Sequence, residues 1–252
     1  MSALLEVRGL VKHFLGVTAV GGVDLTVAPG ELVSLIGPNG SGKTTLFNCV
    51  TGYLAADGGR VTFRGKDITR AAPHRIARLG LGRTFQHVSV FGRLSALDNL
   101  LVFLQQHQEE NLFARLVRTP GVRRFEAEAI ARAHTLLDLV GLGARADAPA
   151  GSLSYGQRKL LAFAAALMPD PELILLDEPA AAVNPTMINQ MKDHILALHR
   201  QGKTVVLVEH NMDVVMDISQ RVVVLDHGQK IAEGTPETIR RDPHVIEAYF
   251  GR

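Results

Sequence analysis

The 252-residue sequence predicts an α/β fold: a largely parallel sheet, an N-terminal antiparallel β subdomain and a helical lobe inserted into the middle. Three observations carry that prediction. Short apolar runs ending in glycine, acid or histidine (ELVSLIG, LILLD, TVVLVEH, RVVVLDHG) recur between helical patterns, as strands covered on both faces do. The first segment alternates apolar and polar residues instead, with glycine punctuation, the pattern of antiparallel strands covered on one face. Between about Ser95 and Met168 the β signal gives way to helical periodicity.

In chain order, LLEVRGLV and GVTAVGGVDLTVAPG supply the alternating strands. ELVSLIG is a buried strand, and a helix should follow from Lys43. RVTFRG and GLGRTFQ read as strands. SALDNLLVFLQQH and RRFEAEAIARAHTLLDLVGL read as helices of the lobe, with the poorly patterned EENLFARLVRTPGVR as a mobile connection between them. YGQRKLLAFAAALM is a further helix that stops at Pro169. The expected organisation is one domain, with residues 1–94 and 169–252 as the core and 95–168 as the lobe. Near the end, Thr235-Pro236-Glu237 combines an N-cap, a Pro at the first helical position and an acid in the first turn, and Asp242-Pro243 repeats the device.

Composition sets limits. Hydrophobic residues make up 46% and charged residues 21%, which suits a single packed core. Lys plus Arg total 27 against 25 Asp plus Glu, a formal charge of +2 with no block of one sign, so no dedicated nucleic-acid surface is indicated. The single cysteine, Cys49, cannot form an internal disulfide and reads as a small core residue, which fits a reducing compartment. MSALLEVRGL is no signal peptide, and no run approaches the ~20 apolar residues of a membrane helix. Any membrane connection is expected through a partner.

GPNGSGKTT carries the chemistry most clearly. It comprises Gly37, Pro38, Asn39, Gly40, Ser41, Gly42, Lys43, Thr44 and Thr45, between a buried strand and a helix, and it matches the phosphate-binding loop. Glycines let successive N–H groups turn inward toward phosphate oxygens, and the helix N-terminus adds its positive end. Lys43 should reach the β- and γ-phosphates, and the Thr44 hydroxyl should help hold Mg²⁺. This loop alone does not separate a kinase, a GTPase, a motor or a transporter ATPase.

LILLDEP ends a strand in Asp177 and Glu178. The first carboxylate can hold Mg²⁺, and the second can polarise an attacking water; solvated strand-end acids are the plain alternative. Gln86, in GRTFQHV, could ligate Mg²⁺ or water. His210, in TVVLVEHN, could reach the γ-phosphate, although in a chain of ten histidines a structural role is the stronger reading from the residue alone. Phe14, in KHFLG, is an aromatic at a loop that either packs or stacks on adenine.

SLSYGQ raises a separate question. Ser154 and Gln157 have capping-box spacing at the start of a helix. The same geometry, a hydroxyl and a glycine (Gly156) at a helix N-terminus, is an anion site. The chain already has a phosphate loop, so a second anion site makes sense if it closes over the nucleotide of another subunit.

Taken in order, GPNGSGKTT, Gln86, LSYGQ, LILLDEP and His210 resemble the ATP-binding subunits of ABC transporters over essentially the whole chain. The resemblance implies a P-loop NTPase core of ABC type and two subunits paired head to tail, each ATP held between the loop of one and the signature residues Ser154, Tyr155, Gly156 and Gln157 of the other. It implies ATP and Mg²⁺ as cofactors, with Thr44, Gln86 and Asp177 toward the metal. It makes Phe14 the adenine-stacking aromatic, Gln86 the Q-loop glutamine, Glu178 the base and His210 the switch histidine. Tyr155 stands where the family has a glycine, and Asn184 stands where many members have Asp. A narrower likeness, to the ATPase pair of branched-chain amino acid importers, rests on EPAAAVNP, VEHNMDVVM and the ending GTPETIRRDPHVIEAYFG. It implies a peripheral subunit on the cytoplasmic face of a bacterial inner membrane. Its partners would be a second ATPase in a homo- or heterodimer, membrane permease subunits contacted through HVSVFGRLSALDNLL, and indirectly a solute-binding protein. Importers of urea, amides or aromatic acids, and soluble ABC ATPases, are the alternatives.

Overall fold

The computed structural model describes residues 3–84, 90–105 and 119–250. Its elements run β1 (Leu5–Phe14), β2 (Val17–Val27), β3 (Leu32–Ile36), α1 (Lys43–Val50), β4 (Gly58–Phe63), β5 (Lys66–Asp67), α2 (Pro73–Arg78) and β6 (Leu81–Arg83). Then come α3 (Ala96–Gln105), α4 (Pro120–Leu139), α5 (Tyr155–Leu167), β7 (Leu173–Asp177), α6 (Pro185–Arg200) and β8 (Thr204–Val208). The chain closes with α7 (Met212–Ile218), β9 (Arg221–Asp226), β10 (Gln229–Gly234), α8 (Pro236–Arg240) and α9 (Pro243–Phe250). Contacts divide it into two compact units, residues 1–83 with 172–252, and residues 84–171.

The first unit holds two sheets. One is antiparallel, in the order β2-β1-β4-β5. The other has the order β10-β9-β3-β8-β7-β6, parallel throughout except for β10, which returns antiparallel on β9. Period-two alternation explains why its strands read as unbroken apolar runs. Val33, Leu35, Val206, Val208, Val223 and Leu225 face a core shared with the antiparallel sheet and with Leu46, Phe47 and Val50 of α1. Ile36, Val222 and Val224 face the opposite core, with Val215, Ile239 and Val245 from the C-terminal helices. Cys49 is buried in the first core, and burial pushes its thiol up to about 11.

Strand β10 was not among the expected strands. QKIAEG is half exposed and lacks an apolar run, but the turn before it has the chemistry of a tight hairpin, His227 and Gly228 at φ 44° and 77°.

In the second unit, α3 packs on α4 and α5, and α4 on α5. Helix α4 starts at Pro120, inside the segment expected to be a connection. Proline at the first helical position is pre-set for helix by its fixed φ, although Gly-Val-Arg-Arg offers no apolar period to read. Arg132 of α4 donates from Nε to the Met168 carbonyl and from Nη2 to that of Leu167, both at 2.8 Å. These carbonyls end α5 and have no partner within the helix. No described helix is long and apolar enough to cross a membrane.

Candidate nucleotide site

The loop between β3 and α1 is shaped by three glycines with different duties. Gly37, Gly40 and Gly42 all have left-handed φ, at 149°, 82° and 100°. A Cβ on Gly37 would lie 2.0 Å from the Leu225 carbonyl oxygen, and one on Gly42 2.3 Å from that of Ala19, whereas a Cβ on Gly40 would meet nothing within 4 Å. The first and last glycines therefore permit close backbone packing as well as an unusual φ, and the middle one permits only the φ. The loop is tied to the β9–β10 turn as well: Gly228 N–H donates to the Ser41 carbonyl at 3.1 Å, and Gly21 N–H donates to the Gly228 carbonyl at 2.8 Å.

Lys43 is buried at the start of α1. Its Nζ donates to the carbonyls of Gly37 (2.8 Å) and Pro38 (2.9 Å) and to Ser41 Oγ (3.2 Å). Burial lowers its pKa, while the nearby carboxylates of Glu178 and Asp177 oppose that shift. Lys43 and the two strand-end acids thus lie within electrostatic reach of one another. Thr44 and Thr45 follow on the first turn of α1.

Asp177 ends β7. Burial raises its pKa, and its pairing with Arg83 opposes the rise. Arg83 Nη2 donates to Asp177 Oδ2 at 3.0 Å, with side chains only 6% and 1% exposed, and Arg83 Nη1 donates to Asn48 Oδ1 (2.7 Å) and Thr51 Oγ1 (2.9 Å). The guanidinium anchors the carboxylate to α1, an arrangement sequence reasoning missed because an Arg at a strand end gives no sign of which acid it meets.

Glu178 has φ 49°, a left-handed conformation costly for a residue with a side chain. Its N–H donates to the Val208 carbonyl at 2.9 Å, and its Oε1 lies 2.8 Å from His210 Nε2. The structure thus joins the two strand-end residues proposed from separate motifs. Glu209, between β8 and His210, was also missed; it is a buried acid whose carboxylate accepts three backbone hydrogen bonds.

Phe14 ends β1, 45% exposed, with Lys12 Nζ 5.5 Å from its ring centroid, so it presents a face rather than a core contact. Gln86 lies outside the described residues. Asn184 caps α6, its side chain accepting from Met187 N–H at 2.9 Å.

In the second unit the capping box is complete. Ser154 Oγ accepts from Gln157 N–H at 3.2 Å, and Gln157 Oε1 accepts from Ser154 N–H at 3.0 Å. Tyr155 is 43% exposed, with Lys159 Nζ 5.8 Å from its ring centroid. Just upstream, Gly151 N–H donates to the Gly92 carbonyl and Ala150 N–H to that of Leu94, both at 2.9 Å. Buried Asn99 holds the Phe91 backbone from both sides, at 2.8 and 3.1 Å, while the Phe91 side chain is 53% exposed.

A glycine-shaped loop beside strand-end acids in the first unit and a capped SYGQ helix in the second are the features of an ATP-binding cassette. The family described as ABC transporter matches residues 20–181, and the one described as Branched-chain amino acid ATP-binding cassette transporter matches residues 229–252. The chain belongs to the ABC transporter family, as an ATP-binding cassette with ATPase activity. It is 43% identical over 249 residues, 98% of each chain, to the High-affinity branched-chain amino acid transport ATP-binding protein LivG of Escherichia coli (strain K12). To BraF of Pseudomonas aeruginosa, which carries the same description, it is 45% identical over the same coverage. Among solved structures, it is similar to a nucleotide-free ATP-binding cassette from an ABC transporter, with TM-score 0.87, 36% identity and all of both chains covered. The ADP conformation of an ATP-binding cassette of an ABC transporter is similar to the same degree.

Proposed function

We propose that this chain is the ATP-hydrolysing subunit of an importer for branched-chain amino acids, docked on the cytoplasmic face of a membrane through permease subunits. The observation that carries the catalytic part is the approach of Glu178 Oε1 to His210 Nε2 at 2.8 Å, beside an ammonium, Lys43, that senses Glu178 and Asp177. In this reading the backbone N–H groups of residues 39–45 and the Lys43 ammonium hold the β- and γ-phosphates, Phe14 supports the adenine, and His210 orients Glu178 while Glu178 takes a proton from water.

The residues present fit Mg²⁺. Asp177 is a buried carboxylate whose charge burial disfavours, and Thr44 supplies a hydroxyl at the start of α1. Among the described residues no group of three or more acids, histidines and cysteines is placed to hold a metal ion by itself, and Mg²⁺ bound to phosphates and waters needs only one or two protein ligands. When bound, the ion neutralises phosphate charge. Gln86 is assigned a place beside it on the family pattern alone.

Ser154, Tyr155, Gly156 and Gln157 are assigned to the nucleotide of a second ATPase subunit. Exposed Phe91, its backbone fixed by Asn99, is assigned to the permease contact, and the Gly92–Gly151 hydrogen bond joins that contact directly to the signature turn. The C-terminal match and the descriptions of the relatives support the substrate class, and they favour it over urea, amides or aromatic acids.

Glu178→Gln tests the catalytic reading. ATP affinity should be retained, single-turnover hydrolysis should slow by about 10²–10⁴-fold, and gel filtration with ATP should show accumulated dimer. Normal hydrolysis by this variant overturns the assignment of the base. Uptake of labelled leucine against urea by vesicles holding the chain and its permease checks the substrate.

A further inference from the structure

Glu209 is 2% exposed, and among the described residues no cation pairs with it. A buried carboxylate is costly unless hydrogen bonds replace its water. Here they do. Oε1 accepts from Ala180 N–H at 2.6 Å, and Oε2 accepts from His210 N–H at 3.0 Å and Asn211 N–H at 3.2 Å. These donors belong to two different loops. Ala180 lies on the loop that leaves β7 through Glu178, and His210 and Asn211 lie on the loop that leaves β8.

The first of these loops is strained, with Glu178 at φ 49° and Ala182 at φ 57°. Such conformations persist only where the surroundings over-determine them. On one side of Glu178 its own N–H is held by the Val208 carbonyl. On the other side, two residues on, Ala180 N–H is held by the Glu209 carboxylate, which in the same stroke holds the backbone of His210.

We propose that Glu209 is a positioning residue for ATP hydrolysis: a backbone clamp that sets the Glu178 loop against the His210 loop and so maintains the Glu178–His210 contact. The inference rests on the catalytic reading of those two residues. It makes the two loops one mechanical piece, so a shift at His210 is carried by the clamp into the loop that runs to Asn184 and the start of α6.

Glu209→Gln is the discriminating variant. It keeps size and shape, but its single carbonyl oxygen can serve only one loop, and its NH₂ faces N–H donors on the other. Expected is a fall in kcat of about 10- to 100-fold, the size of a small catalytic misplacement, with ATP affinity unchanged. Glu209→Asp, charged but too short to span both loops, should lose kcat in the same way. In a cycle with His210→Ala, the effect of Glu209→Gln on the residual single-turnover rate should largely vanish, because residues acting through one contact are not additive. Unchanged kcat, equal losses in kcat and ATP affinity, multiplicative effects in the cycle, or failure of both Glu209 variants to yield folded, ATP-binding protein would each overturn the proposal. Glu178→Gln and His210→Ala serve as controls. If they hydrolyse ATP normally, the catalytic reading itself fails; if they are impaired while Glu209→Gln is not, only the clamp does.

Discussion

Gly42 and Ser154 each start a helix, and each is read as part of a phosphate site, but their surroundings differ in kind. Around Gly42 the nearest contacts are main chain from distant parts of the fold, the Ala19 carbonyl and the β9–β10 turn, and the next residue, Lys43, is buried under the influence of two acids. Around Ser154 the hydrogen bonds are local, closed by a residue three positions on, and the next side chain stands in solvent. Tertiary structure fixes the first site, while the second is satisfied by its own helix, with Tyr155 half exposed beside Lys159 of the same helix. A site finished within the chain is expected to fail by misfolding when altered, and a site that waits for a partner is expected to fail without misfolding.

The glycines test the first half of that contrast. Gly42→Ala drives a Cβ against backbone that cannot rotate away, so loss of ATP binding and a large drop in thermal midpoint are expected. Gly40→Ala meets open space and should cost only the left-handed φ, about 1–2 kcal/mol. Equal melting curves for the two variants would show that the close packing does not matter.

Ser154 tests the other half with a smaller effect on stability. Ser154→Ala should cost about 1 kcal/mol of helix stability, and Ser154→Asp almost nothing, since Asp caps as well as Ser. Yet the Asp variant places a negative charge where a partner's phosphate would approach. A stable Asp variant with little ATPase activity, measured at concentrations that support the dimer, marks an anion site. Full activity would reduce SYGQ to a cap. The smallest expected signal is at Cys49. With its thiol held near 11 by burial, the thiolate is scarce at pH 7, and labelling by a thiol reagent should be slow until the protein is unfolded. Rapid native labelling would mean that α1 opens locally.

What the sequence made legible follows the same division. Strands β3, β7, β8 and β9 announced themselves because burial on both faces leaves mostly apolar residues. The glycine turn into α1 and the capping box were readable because each is written in consecutive residues. Strand β10 escaped, since a half-exposed strand has no run to recognise, and the start of α4 escaped because Pro120 carries the information rather than periodicity. Arg83 and Glu209 could not be read at all. Their importance lies in partners at the ends of other strands, and a single charged letter closing an apolar run does not name them.

Gly42 and Gly228 converge on one carbonyl, that of Ala19 in β2, where added Cβ atoms would lie at 2.3 and 2.8 Å. Every other amino acid would wedge this seam open, so the antiparallel sheet and the nucleotide loop share a joint with no side chain in it to compress or swing aside. A tilt of the Phe14 hairpin would therefore reach the β3–α1 loop as a rigid displacement, as a key turns a bolt.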